Sequence, residues 1–226
     1  FSIFSLKLCS KKMLIITTKI RYFFILTKSV LKFIYLFIFL LYLCRNRHLK
    51  YYKMNTVESL VASRLLGVQA VKLQPNQPFT WASGWKSPIY CDNRKTLSYP
   101  EVRSLIKLEL ARIILEKYPD VEAIAGVATG AIAQGALVAD ALGLQFVYVR
   151  SSKKDHGMEN LVEGYLEEGK KVVVVEDLIS TGGSSLKAVA ALRNEKKCDV
   201  LGMVAIFTYG FPLAQEQFAA ANVELT

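Results

Sequence analysis

From Met54 onward, apolar positions fall into blocks whose spacing keeps changing. Val57, Leu60, Val61 and Leu65 share one face of a helix that Asn55 or Thr56 can cap and Gly67 can stop. Val71–Leu73, Phe79–Trp81 and Ile89–Cys91 read as short strands. Pro75 and Pro78 mark turns, and Ser83–Pro88 reads as a loop. Tyr99–Tyr118 carries Val102, Leu105, Ile106, Ile113 and Ile114 at helical spacing. Then the period shortens. Val121–Val127 and Gln145–Val149 read as strands on either side of an Ile132–Leu142 helix. Val172–Val175 is a β-branched run suited to a strand buried on both faces, followed by a helical pattern over Leu186–Arg193. Val200–Phe207 is the last clear strand, and Leu161–Leu166 reads as a short hairpin element before the valine run. Strands alternating with helices predict an α/β fold, with a mostly parallel sheet, helices on both faces and a small N-terminal subregion.

The valine run leads into the densest chemistry of the chain, Glu176-Asp177 and then Ser180-Thr181-Gly182-Gly183-Ser184-Ser185. A glycine-containing loop that enters a helix aims several backbone N–H groups at one point, an anion site suited to phosphate. Ser180, Thr181, Ser184 and Ser185 add hydroxyls. The two acids would repel a phosphate, so they suit the neutral hydroxyls of an adjoining sugar or a nearby Mg²⁺. Together these features point to a ribose 5-phosphate group. The loop is not the GxxxxGK[ST] of ATPases, because no lysine follows the glycines until Lys187.

Charge divides the chain in two. Residues 1–53 hold 11 Lys+Arg and no acid, whereas residues 54–226 hold 18 Lys+Arg against 19 acids. The net +10 therefore belongs to the first segment, and the remaining 173 residues give no electrostatic argument for nucleic-acid binding. Phe33–Cys44 is apolar for twelve residues. As a helix that is about 18 Å long, short of the roughly 30 Å hydrocarbon core of a membrane. A membrane anchor and a targeting sequence are alternatives, but the chain starts at Phe1 and its composition shifts abruptly at Met54. Residues 1–53 are therefore expected to be non-native upstream translation, and 54–226 to be one domain. Cys9, Cys44, Cys91 and Cys198 are scattered without metal spacing, which fits a reduced, cytoplasmic setting.

Lys171–Ser185 resembles the phosphoribosyl diphosphate (PRPP) motif of type I phosphoribosyltransferases, in its apolar run, its Glu-Asp pair and its Ser-Thr-Gly-Gly-Ser loop. Three further pieces resemble the orotate phosphoribosyltransferase family. Phe79–Arg94 (FTWASGWKSPIYCDNR) is similar to its N-terminal substrate region, or hood. Gly126–Gly130 is similar to its diphosphate-contacting loop. Arg150–Gly157 is similar to its mobile catalytic loop, matching at Arg150, Lys154, His156 and Gly157. The resemblance spans Met54 to the end. It implies a type I phosphoribosyltransferase fold and transfer of the phosphoribosyl group of PRPP to orotate, in pyrimidine biosynthesis. It implies Mg²⁺ held mainly by PRPP rather than by dedicated protein ligands, and a homodimer in which the loop serves the neighbouring subunit. No membrane or nucleic-acid partner is expected of the 54–226 domain.

The residue roles follow from the same resemblance. Arg150, Lys153, Lys154 and His156 are expected to serve catalysis at the departing diphosphate, with Asp177 on the reacting sugar. Glu176 and Asp177 are assigned to the ribose hydroxyls, and Ser180, Thr181, Gly182, Gly183 and Ser184 to the 5-phosphate. Thr129 and Gly130 are assigned to the diphosphate. Lys86, Arg94 and Ser180 are assigned to orotate, which needs a cation for its carboxylate.

The chain also departs from the family pattern. Ser151 stands where many members carry a second base, Ala82 and Thr129-Gly130 stand where many carry lysines, and Thr208-Tyr209 where an arginine is frequent. These departures imply a subgroup that uses Lys86 and Arg94 instead. The chain stops at Val223–Thr226 on entering a strand, so a C-terminal truncation is expected. A purine-base transferase and a PRPP-sensing regulator of nucleic acid are the competing readings.

Overall fold

The computed structural model describes residues 56–80, 84, 86–152 and 160–226. The proposals for residues 1–53, Trp81, Ala82, Ser83, Trp85, Lys153, Lys154, His156 and Gly157 lie outside them.

The N-terminal region begins with α1 (Val57–Gly67), whose cap is Thr56; its side chain accepts from the Ser59 N–H at 3.3 Å. Two small antiparallel pairs follow: β1 (Val71–Leu73) with β4 (Ile89–Cys91), and β2 (Phe79–Thr80) with β3 (Lys86–Ser87). The polar pair Lys86-Ser87, expected as loop, is a strand because it pairs with Thr80 and Phe79. A 3₁₀ helix over Asn93–Ser98, with no apolar periodicity to announce it, leads into α2 (Pro100–Lys117).

The main sheet has five strands in the order β7-β6-β5-β8-β9. β5 (Ala123–Val127), β6 (Gln145–Val149), β8 (Lys171–Ile179) and β9 (Asp199–Thr208) are parallel, and β7 (Val162–Glu163) closes one edge antiparallel to β6. The crossovers are α3 (Ile132–Leu142) between β5 and β6, and α4 (Gly183–Glu195) between β8 and β9. α5 (Pro212–Ala220) follows β9. Parallel neighbours need such crossovers, which cover both faces of the sheet.

The alternating side chains of β8 make the two cores. Val172 and Val174 pack with Val189 and Leu192 of α4 and Phe218 of α5. Val173 and Val175 pack with Ile106 and Ile114 of α2 and Val138 of α3. Complete burial of each such side chain contributes about 1.5–3 kcal/mol.

The apolar run stops at the acids, but β8 runs four residues beyond Val175. Beyond Val175 its pairing with β5 stops, while pairing with β9 continues from Glu176↔Ala205 to Ile179↔Thr208. The acid pair thus lies inside a strand with one free side. At the chain's end, Leu225 bridges Met203 in parallel, and Thr226 N–H donates to the Met203 carbonyl at 2.9 Å. Among the described residues no helix is long and apolar enough to cross a membrane.

Ile114 and Leu115 are neighbours on α2 with opposite environments, 0% and 56% exposed. Ile114→Ala is expected to destabilise the protein by about 2–5 kcal/mol, and Leu115→Ala by no more than about 0.5 kcal/mol. Denaturant unfolding of both variants checks this, and equal effects would contradict the assigned packing.

Candidate active site

β6 and β8 flank β5 on opposite sides, so the chain reverses direction across the sheet between β5 and β8. Ligands of open α/β sheets bind beyond the strand C-termini at such a point. Register places Gly126 beside Val175, so the loop after β5 comes out next to Glu176 and Asp177. The contact is close. A Cβ on Gly130 would overlap the Asp177 carboxylate, so only glycine allows the second loop to lie against the acid. The Ala128–Thr129 peptide in that loop is cis.

The two acids have different surroundings. Asp177 is half-buried, on the side where β5 has ended. Glu176 is 4% exposed and turns inward. Its Oε1 accepts from the Asp177 N–H at 2.9 Å and its Oε2 from the Ser185 hydroxyl at 2.8 Å. Burial, reinforced by the neighbouring Asp177 charge, pushes the Glu176 carboxyl up to about 8. Ser185 is 1% exposed and spends its hydroxyl on Glu176. It therefore ties the start of α4 to β8 and does not add to the anion-binding hydroxyls.

Ser180 and Thr181 are half-buried, and Gly183 and Ser184 are exposed at the start of α4. Gly182 caps that helix at φ 86°, a left-handed conformation that favours glycine. No side chain caps the first turn, which leaves the helix N–H groups open toward an anion. Thr129 is exposed beside Gly130.

Three of the expected cations, Arg150, Lys86 and Arg94, fall among the described residues. Arg150, at the end of β6, pairs with Glu163 of β7 at 3.4 Å, and its N–H donates to the Leu161 carbonyl at 2.9 Å. The Glu195 carboxylate accepts from the Leu161 and Val162 N–H groups at 3.0 and 3.2 Å, fixing the chain where it returns from residues 153–159. Lys86 is exposed on the β2–β3 hairpin. Arg94 pairs with Asp92 at 2.7 Å, which raises the guanidinium and lowers the Asp92 carboxyl. The Asp177 charge also acts on Arg94, though more weakly than Asp92 does.

The donor set fits a hard cation carried by a substrate. With both Glu176 oxygens held by the chain, Asp177 is the carboxylate left facing the mouth. Mg²⁺ prefers such a site, with one or two carboxylates and the remaining positions filled by phosphate oxygens and water.

Asn93, Gln134 and Glu195 carry no sequence signal of a role here: Asn93 and Gln134 are polar residues buried with partners distant in sequence, which no periodicity announces. Ser185, expected among the anion-binding hydroxyls, is instead spent on Glu176.

An uncapped helix start, an acid and a second loop beside the switch point form the arrangement expected of a phosphoribosyltransferase. The phosphoribosyl transferase domain family matches residues 101–215. Orotate phosphoribosyltransferase of Porphyromonas gingivalis is 73% identical over 172 residues, which are 76% of this chain and 81% of that protein. The Bacteroides thetaiotaomicron enzyme of the same name is 67% identical over the same shares. The crystal structure of orotate phosphoribosyltransferase from Aeropyrum pernix superposes with a TM-score of 0.65 at 31% identity, over 73% of this chain and 90% of that one. This chain belongs to the orotate phosphoribosyltransferase family.

Two outcomes are expected. The folded Glu176 carboxyl lies above its ordinary value near 4.5, so its contribution to stability is complete below about pH 4.5 and is lost as pH rises through about 8. Glu176→Gln should flatten that part of the melting-temperature profile measured between pH 5 and 9. Gly130→Ala should displace Asp177 and weaken PRPP binding at least about tenfold by calorimetry; unchanged binding would mean that this contact does not shape the site.

Proposed function

We propose that this chain transfers the phosphoribosyl group of PRPP to orotate, giving orotidine 5′-monophosphate and diphosphate. The observation that supports this most directly is the close approach of Gly130 to Asp177 beside the uncapped start of α4. Read as a diphosphate loop, a ribose acid and a phosphate cradle, these three parts would serve the three parts of one PRPP molecule.

Orotate N1 forms the bond to C1′ as the C1′–O bond to diphosphate breaks, and the N1 proton leaves to solvent. The sugar passes through an oxocarbenium-like state, so the site must hold a departing polyanion and tolerate a transient cation. Ser180, Thr181, Gly182, Gly183 and Ser184 hold the 5-phosphate through main-chain N–H groups and hydroxyls. Asp177 accepts from the ribose hydroxyls, and its charge favours the positive sugar. Glu176 acts through Ser185 and the Asp177 N–H, keeping both in place. Thr129 and Gly130 face the diphosphate. Arg150, Lys153, Lys154 and His156 supply cations as it leaves. When bound, Mg²⁺ neutralises charge on the diphosphate and makes it a better leaving group. Lys86 and Arg94, with Ser180, supply the base side and the counter-charge for the orotate carboxylate. The loop that carries Lys153–His156 completes the site of a neighbouring subunit, so the working unit is a homodimer, in the cytoplasm.

The purified protein mixed with orotate, PRPP and Mg²⁺ should lose the orotate absorbance, and omission of either PRPP or Mg²⁺ should abolish the loss. Turnover of hypoxanthine or xanthine with none of orotate would replace this reading by a purine-base transferase.

A further inference from the structure

A buried polar chain joins three walls of the site through Asn93, which is 2% exposed. Its Nδ2 donates to the main-chain carbonyl of Asp177. Its Oδ1 accepts from the Cys91 thiol at 3.3 Å. Its own carbonyl accepts from the Thr96 hydroxyl at 2.6 Å, and that hydroxyl accepts in turn from Gln134 Nε2 at 3.5 Å. Cys91 ends β4 in the hood region, three residues after Pro88 of the β3–β4 turn and three before Arg94. Asp177 is the acid packed on Gly130. Gln134 lies in the first turn of α3, the helix that follows the Gly126–Gly130 loop.

The chemistry of the position calls for an amide. Its two ends face opposite requirements, a carbonyl that needs a donor and a thiol that needs an acceptor. Burial and the negative charges of Asp177 and Asp92 push the Cys91 thiol up to about 12, so it stays protonated and keeps its hydrogen to donate. A carboxylate would set oxygen against oxygen at Asp177, and an alkyl side chain would leave that buried carbonyl without a donor.

We infer that Asn93 is a positioning residue that locks the base-binding hood onto the PRPP-binding acid, so that a single amide aligns the two half-sites. The inference rests on the transferase reading above. Asn93 spends its side chain on the protein's own backbone and thiol, and acts through the placement of Asp177 and of the strand that leads to Lys86 and Arg94.

Steady-state kinetics of Asn93→Ala and Asn93→Ser test it, with folding checked by circular dichroism. The shorter, still polar serine carries the test if the alanine variant does not fold. Loss of an alignment that holds both substrates raises the KM for each. The KM values for PRPP and for orotate should therefore rise together, each about tenfold, the effect of losing one buried hydrogen bond. kcat per folded enzyme should fall as well, because a displaced Asp177 favours the positive sugar less. A structural role alone would lower the melting temperature and leave both KM values in place, and that result overturns the inference. A rise in only one KM also overturns it, because the two half-sites would then be set independently. An unmodified protein that turns over no orotate shows the transferase reading itself to be wrong, before any variant is made, and removes the inference with it.

Discussion

The site depends on a parting of strands. β5 and β8 run paired as far as Gly126 and Val175; then β5 turns into its loop while β8 continues along β9 to Ile179. One side of four consecutive β8 residues is released from the sheet, yet their backbone is still held straight by the other neighbour. A carboxylate on such a stretch has the precision of a strand and the access of a loop. Gly130 fills the space that β5 vacated, and its lack of a side chain lets the Asp177 carboxylate rest on the returning backbone. The binding loops are short because the sheet brings their roots together.

Around this opening, small polar fasteners set each part relative to the acid pair. Ser185 joins the start of α4 to Glu176, Asn93 joins the hood to Asp177, and Glu195, at the far end of α4, holds Leu161 and Val162 where the chain returns to β7. α4 is thus tied at one end to the phosphate side and at the other to the root of the cationic segment. Apolar packing holds the sheet together, but its directionless character would not fix these offsets. The hydrogen bonds are few and each is buried or half-buried, where a missing partner is costly.

Much of the scaffold was readable because it is buried and regular. Ile132–Leu142 and Gln145–Val149 end where the spacing of their apolar residues ends. The extension of β8 was not readable, because Glu176 and Asp177 break the apolar run that otherwise marks a buried strand; the partner that holds them, Ala205–Thr208, is remote in sequence. The 3₁₀ helix escaped for the opposite reason. Its buried residues, Asn93 and Thr96, are polar and rely on partners in β4, β8 and α3. α5 went unnoticed although Pro212 stands at its first turn, because PLAQEQFAA buries only Ala214 and Phe218. In the site, the phosphate loop and the acid pair were legible as a motif. The unequal environments of the two acids were not, since adjacent residues on a strand point to opposite sides only once the strand is known to continue.

That inequality has an electrostatic consequence. Two ionised carboxylates beside a phosphate cradle would oppose a substrate with phosphate at both ends. Here the first acid is turned into the protein, where desolvation and its neighbour's charge push its carboxyl up to about 8. Its ionisation is held back relative to a free carboxyl, which reduces the negative charge it adds beside the helix start. Asp177, the outer acid, is the one that the proposed reading sets on the reacting sugar. The buried acid keeps its geometric task when protonated, because its carbonyl oxygen accepts from the Asp177 N–H and its O–H can donate to the Ser185 hydroxyl instead of accepting from it. The motif's two adjacent acids therefore have unlike surroundings: Glu176 is tied to Ser185 and to the Asp177 N–H, and Asp177 lies against Gly130.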